Sequence, residues 1–279
     1  MWNIIALTFN KKIKRNLDRY LSHIIIFRSV FYRIRTYKVN KLNRQWQNID
    51  YVMENIKSIV DLGNFYELNK HIPEIEHQVG RFINMCKIVN QIIPKNKETI
   101  VEFGTYQGLS ILLLDYAFTS RSHSMNNNSN CEFVGIDTFQ GLPESSSIWT
   151  KGQFNDTSID ICEKNIRKWG NPKSKFELIP GRFNDLNVSK RLSRYSNISV
   201  FHFDADLGSS TKEALQVLHL FLQKKQSCVY FLFDDWGCHP DEVPDAFYNW
   251  FLENQNDLNL SATKISSTKY SRYYRIDFA

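Results

Sequence analysis

A chain of 279 residues, 42% hydrophobic and 23% charged, has the composition of a soluble globular protein long enough to bury a full core. Its net charge of +6 is unevenly spread: residues 1–45 carry 11 Lys/Arg and one acid, a net of +10 that leaves −4 for the rest. Basic charge confined to an arm argues against a nucleic-acid-binding groove in the body, so no nucleic-acid partner is expected.

The first ten residues are apolar but lack a basic leader and a small-residue cleavage site, so no signal peptide is expected. Between residues 11 and 45 the longest uncharged run is Tyr20–Phe27, far short of the ~20 residues a spanning helix needs. Tyr20, Ile24, Phe27, Phe31 and Ile34 recur at helical spacing among arginines. This pattern suits an amphipathic segment on an anionic membrane surface, or an arm packed on the body or on a second subunit. The second reading is preferred and predicts a homo-oligomer. The five cysteines form no Cys-x-x-Cys pair, which fits a reduced, cytoplasmic setting, with peripheral contact at the inner membrane face if the arm binds lipid.

Apolar spacing predicts a helix over residues 46–62 stopped by Gly63, and another from Pro73 to just before Pro94. Three segments follow: a basic arm (1–45), a helical cap (46–97) that helps cover the site, and a main domain (98–279). Within the last, strands at 99–103, 132–137, 176–179, 198–203 and 228–233 alternate with helices near 108–118, 158–169, 185–195, 210–224 and 241–254. Residues 120–130 read as a polar insertion and 138–157 as a long loop suited to a lid. Alternating stretches at 262–267 and 270–278 close the chain as a hairpin. This is an α/β doubly wound sheet, mostly parallel with an antiparallel C-terminal hairpin, preceded by N-terminal helices.

Two buried strands end in paired carboxylates: Phe203-Asp204-Ala-Asp206 and Phe233-Asp234-Asp235. A βαβ unit sets such ends side by side in one crevice. Asp204 and Asp206 point the same way if the extended geometry persists beyond the strand. So many carboxylates call for a cation, and an all-oxygen set suits Mg²⁺. The first βα turn, Glu102-Phe-Gly104-Thr105-Tyr-Gln-Gly108-Leu-Ser110, is not a dinucleotide-binding turn, because residue 106 is Tyr. An acid before its first glycine repels a pyrophosphate and welcomes a cationic ligand such as S-adenosylmethionine. Asp137, at the end of the next strand, either receives a ribose diol or caps a turn. His202 reads as a hydrogen-bonded core residue. Trp149, Phe154 and Trp236 either line an acceptor pocket or pack in loop and core.

Val101-Glu-Phe-Gly-Thr-Tyr-Gln-Gly108, Gly135-Ile-Asp-Thr-Phe-Gln-Gly-Leu-Pro143, Lys151-Gly-Gln-Phe154, Pro180-Gly-Arg-Phe183, Phe203-Asp-Ala-Asp-Leu207 and Asp234-Asp-Trp-Gly237 together resemble the macrocin O-methyltransferase family over about residues 98–255. The resemblance implies a class I methyltransferase (Rossmann-like) sheet, S-adenosyl-L-methionine as donor and a sugar hydroxyl on a small molecule or glycan as acceptor. It implies Mg²⁺ on Asp204, Asp234 and Asp235, with Asp206 as the general base. Donor contacts are expected from Glu102, Gly104, Thr105, Gly108, Ser110, Asp137, Phe139, Gly181 and Phe183. Gly208 departs from the Tyr common in the family, so a different local pocket wall is expected there. Catechol-type methyltransferases carry a Lys three residues after the first metal Asp; Leu207 fills that slot here.

Two other function classes compete. Asp204-Ala-Asp206 also resembles the metal site of nucleotide-sugar glycosyltransferases, but these bind a diphosphate and should offer basic residues near the metal. A membrane-tethered polyanion-binding module accounts for the arm and leaves the aspartates unexplained.

Overall fold

The computed structural model describes residues 39–93, 97–124, 130–195, 198–222, 228–237 and 242–278. Most of the basic arm, including its apolar stripe, lies outside the described residues.

Among the described residues four helices precede the sheet: α1 (residues 39–46), α2 (Ile49–Ser58), α3 (Leu62–Asn69) and α4 (Pro73–Val89). The single helix expected over 46–62 is divided. Helix α2 is capped by Asn48, whose side chain accepts from the Tyr51 amide, and it ends at Ser58. Asp61 accepts from the Asn64 amide and opens α3, so Gly63 lies inside a new helix and does not stop the old one. Helix α4 starts at Pro73 as expected, since proline at the first helical position gives up an amide that has no partner there anyway.

The main body alternates β1 (Lys97–Phe103), α5 (Leu109–Ser124), β2 (Asn130–Asp137), α6 (Ile159–Trp169), β3 (Lys175–Pro180), α7 (Leu186–Leu192), β4 (Ile198–Phe203), α8 (Gly208–Leu222), β5 (Val229–Phe233) and α9 (Glu242–Asn254). Strands β6 (Leu260–Ser267) and β7 (Arg272–Phe278) close it as the expected hairpin. Residues 120–124, expected in a polar insertion, extend α5 instead. The strand order is β3-β2-β1-β4-β5-β7-β6, with β7 antiparallel to β5 and to β6 and the other pairs parallel.

Strand alternation divides the core into two layers. Ile100, Val200, Tyr230 and Leu232 face α2, α4 and α5, where Val52, Met53, Val79, Met85, Leu112 and Phe118 are buried. Val101, Phe103, Phe201, Phe203, Phe231 and Phe233 face the other way, against Leu215, Leu218, Phe247 and Trp250 of α8 and α9. The N-terminal helices therefore share a core with the sheet. The same parity carries Glu102, His202 and, past the strand ends, Asp204 and Asp234 to the α4 side.

The β1 and β4 ends meet at Gly104. Its φ is +91°, and a Cβ there would lie 1.7 Å from the Asp204 carbonyl oxygen. Replacing Gly104 with Ala should cost more than the ~1–2 kcal/mol of left-handed backbone strain alone, because it also forces β4 away from β1. Denaturant unfolding checks this, and a variant within about 1 kcal/mol of wild type would show that the two strand ends do not need this contact.

Candidate active site

A cavity of about 820 Å³ opens at the C-terminal edge of the parallel strands, where open α/β sheets bind ligands. Its floor is the β1 turn, with Gly104, Thr105 and Ser110, beside Asp137, Phe183, Asp204, Asp206 and Asp235. Gln47, Ile49, Glu74, His77, Gln78 and Arg81 supply a wall from the N-terminal helices. Among the expected site residues, Glu102, Gly108, Phe139, Gly181 and Asp234 do not line it.

Those five support the site from behind. Gly108 packs its backbone where a Cβ would touch Cys162 Sγ at 3.0 Å. The Phe139 amide donates to Asp137 Oδ1 (2.7 Å), the Tyr106 amide to Oδ2 (2.8 Å), and the Gly181 amide to the Asp137 carbonyl (2.9 Å). Asp137 is thus fixed between the first two βα turns. Burial still drives its pKa upward against those amides. Thr105 Oγ1, in the cavity floor, is buried without a hydrogen-bond partner.

The long loop after β2 folds back on itself: the Leu142 amide donates to the Gln153 carbonyl (2.9 Å) and the Gly152 amide to Leu142 (2.9 Å). Trp149 and Phe154 from this loop line the cavity with ring centroids 5.5 Å apart, and Phe154 meets Tyr106 edge-on. Tyr106 is tied to the same loop through Asp156 (2.7 Å). Trp236 instead belongs to the core, against Phe233, Phe247 and Tyr274. Two of the three aromatics therefore reach the cavity.

The four aspartates converge, but not as equals. Strand β4 ends at Phe203, and Asp206 enters the cavity through a left-handed residue (φ +57°), not through extended alternation. Asp235 is left-handed too (φ +58°), which turns it to the cavity side while Asp234 stays behind, 1% exposed. Burial, with Asp235 and Asp204 nearby, holds Asp206 well above the usual carboxylate range. Asp204 is pushed up to about 6 by burial and by Asp234, against the pull of Arg81.

Behind the cavity runs a buried charge chain. Glu102 and His202 are register partners on β1 and β4 and face the same layer, so Glu102 Oε1 lies 2.8 Å from His202 Nδ1. His202 Nε2 approaches Asp234 Oδ2 at 3.7 Å. Asp234 Oδ2 accepts from Arg81 Nη1 at 2.5 Å, and the same nitrogen reaches Asp204 Oδ2 at 3.2 Å. Arg81 Nη2 is held by Gln78 Oε1 at 2.6 Å. Burial opposes the imidazolium, but Asp234 and Glu102 outweigh it and raise His202 to about 10. Asp234 is held well below its usual range: burial pushes it up, and Arg81 and His202 more than reverse this.

Sequence reading missed Arg81 and His77. The signal was His77, Gln78 and Arg81 at three- and four-residue spacing on a helix that also carries Glu74, Glu76, Asn84 and Lys87, so it did not stand out. As a test of donor chemistry, Asp234 Oδ1 is buried with no hydrogen-bond partner, and Asp204 and Asp235 face the cavity. Hard carboxylate oxygens with one left unsatisfied fit an oxygen-seeking cation such as Mg²⁺. Glu102, His202 and Asp204 also bring ligand atoms within 4.8 Å of one another, but the first two are already paired.

No family model and no curated protein matches this chain in sequence. Among solved structures, the O-methyltransferase NovP superposes with a TM-score of 0.51 at 18% identity, covering 71% of this chain and 79% of that one. CalS11, a calicheamicin methyltransferase, gives 0.50 at 17% identity, covering 83% and 91%. The fold is that of a class I methyltransferase. At these identities the likeness is one of fold.

The buried Glu102–His202 pair yields a pH prediction. His202 titrates from an ordinary 6.5 to about 10 in the fold, so its stabilisation is complete below about 6.5 and is lost as pH rises through about 10. Glu102→Gln should cost ~3–5 kcal/mol at neutral pH by breaking a buried pair, and should flatten that alkaline decline. Unfolding curves from pH 6 to 10 check both; identical slopes in the two proteins would remove Glu102 from the chain.

Proposed function

We propose that the protein is an S-adenosylmethionine-dependent O-methyltransferase acting on a hydroxyl of a sugar, glycosylated metabolite or polysaccharide, as in the macrocin O-methyltransferase family. The observation that carries this reading is the acidic cavity at the strand ends of a class I methyltransferase fold. Asp137, Asp204, Asp206 and Asp235 line it. Its two lining guanidiniums are both spoken for, Arg81 by Asp234 and Asp204, and Arg182 by Glu213 at 3.0 Å. A sulfonium and an ammonium suit such a cavity; the diphosphate of a nucleotide sugar does not. The fold neighbours NovP, an O-methyltransferase, and CalS11, a calicheamicin methyltransferase, support the same chemistry.

In this reading Asp137 accepts the donor's ribose hydroxyls, and the Gly104–Ser110 turn cradles its methionine part. Thr105 Oγ1 supplies an unspent polar atom. Glu102, Gly108, Phe139, Gly181 and Phe183 complete the donor site, some from behind it. Trp149 and Phe154 offer flat faces to an acceptor sugar ring. Asp204, Asp234 and Asp235 would hold Mg²⁺, which on binding acidifies a ligated hydroxyl and offsets the carboxylates' repulsion. The acceptor oxygen attacks the donor methyl carbon, the carbon–sulfur bond breaks, and S-adenosylhomocysteine leaves as a neutral thioether. The hydroxyl proton passes to Asp206, which burial and the neighbouring acids hold well above the usual carboxylate range before a cation binds. The proposal extends to a cytoplasmic homo-oligomer with no nucleic-acid partner, whose residues 11–45 pack on protein or touch the inner membrane face. No helix among the described residues is long and apolar enough to cross a membrane.

Asp206→Asn keeps shape and loses the proton acceptor, so turnover of a sugar acceptor should fall by about 10²–10⁴-fold. Wild-type rate should rise with pH as Asp206 ionises, and the variant should lack that limb. Steady-state rates across pH decide it. Near wild-type turnover, or rescue by excess Mg²⁺, would move the base elsewhere.

A further inference from the structure

Arg81 is contributed by α4, outside the strand-end motifs, yet it sits at the centre of the aspartate group. It is 4% exposed and separated from Asp204 by 123 residues and from Asp234 by 153. One guanidinium nitrogen touches oxygens of both carboxylates, at 2.5 and 3.2 Å, while Gln78 fixes the other at 2.6 Å. Burial would favour loss of its proton, but the two carboxylates hold it charged, as arginine always is. A fully ionised cation thus bridges two of the three carboxylates assigned to Mg²⁺. A divalent ion drawing on the same carboxylates would stand a few ångströms from a fixed positive charge, in a site where burial weakens screening.

From this geometry we propose that Arg81 is an internal competitor for the cation: it neutralises Asp204 and Asp234 when no metal is bound and sets how tightly a divalent ion is held. The proposal rests on the reading that Asp204, Asp234 and Asp235 form the cation site. Arg81 is a positioning residue here and takes no part in methyl transfer. It keeps Asp234 behind the cavity wall with Oδ1 unsatisfied. Metal occupancy is thereby linked to the N-terminal helical layer, because Arg81 and its anchor Gln78 both belong to α4. The same helix is joined to the C-terminal hairpin through Glu76 Oε1, which accepts from the Lys269 amide at 3.0 Å. Pairing of the cation site and seating of α4 on the sheet are therefore one structural matter.

The test is direct binding of Mn²⁺ to the full chain, followed by electron paramagnetic resonance of the free ion, with no donor or acceptor present. Arg81→Gln removes the charge and keeps a polar group, and should bind Mn²⁺ roughly tenfold or more tightly than wild type. Arg81→Lys keeps a charge but loses the second nitrogen by which Gln78 fixes the group between the two carboxylates, and should fall between the two. Adding Asp235→Asn to Arg81→Gln should erase the gain. If Arg81→Gln does not fold by circular dichroism, the lysine variant alone must still bind more tightly than wild type. Equal or weaker binding in a folded variant, with wild type binding Mn²⁺, overturns the competitor role and leaves the metal site standing. Absence of Mn²⁺ binding in all forms overturns both.

Discussion

Several ionisable groups are buried within a few ångströms at the open end of a parallel sheet, and the rest of the structure answers to their charge. A buried carboxylate is tolerated only when paired and hydrogen-bonded. Asp234 meets that condition through Arg81, with His202 and His77 close by, and Glu102 meets it through His202. Asp206 has like charges for neighbours, and its proton affinity rises accordingly. The two behaviours separate what the carboxylates can do. A paired, depressed acid holds position, whereas an acid crowded by other acids takes up protons. The two kinds stand at the ends of neighbouring strands, Asp234 after β5 and Asp206 after β4.

This arrangement ties the N-terminal helices to the chemistry. Helix α4 shares a hydrophobic layer with Ile100, Val200 and Leu232. It also lends His77, Gln78 and Arg81 to the cavity wall. A cap that only shielded the site from water could be held by apolar packing alone. Here the packing also carries the countercharge that lets Asp234 exist ionised inside the protein. The opposite layer, rich in stacked phenylalanines such as Phe203 and Phe233 at 4.5 Å, supplies a rigid base of aromatic and aliphatic side chains. Rigidity on one face and charge on the other is what strand alternation allows when both faces are covered.

Much of this was legible in the sequence. Apolar runs bounded by aspartates placed β4 and β5 and their acidic ends; the close approach of Gly104 to Asp204 is visible only in the fold. Strand and helix order gave the doubly wound sheet and its hairpin. The break at residues 59–61 was not legible, because apolar spacing runs through it and the new cap is a single Asp61. Glu102 was read as facing a ligand; which layer covers a strand face is a tertiary fact, and that face turned out to be shared with His202. Arg81 escaped because an arginine on a helix usually reaches solvent, and only the fold supplies two carboxylates more than a hundred residues away. Asp206 reaches the cavity by a left-handed turn, where strand alternation alone suggests extended chain.

The central claim is that this acidic cavity receives a sulfonium donor, not a nucleotide diphosphate. Isothermal titration of the full chain with S-adenosylhomocysteine, and separately with a nucleotide diphosphate sugar and Mg²⁺, tests it most directly. The account predicts saturable binding of S-adenosylhomocysteine that weakens in Asp137→Ala, where charge-assisted bonds to the ribose worth ~1.5–3 kcal/mol each are lost. A diphosphate sugar bound in preference to S-adenosylhomocysteine, or donor affinity unchanged in a folded Asp137→Ala protein, would contradict it.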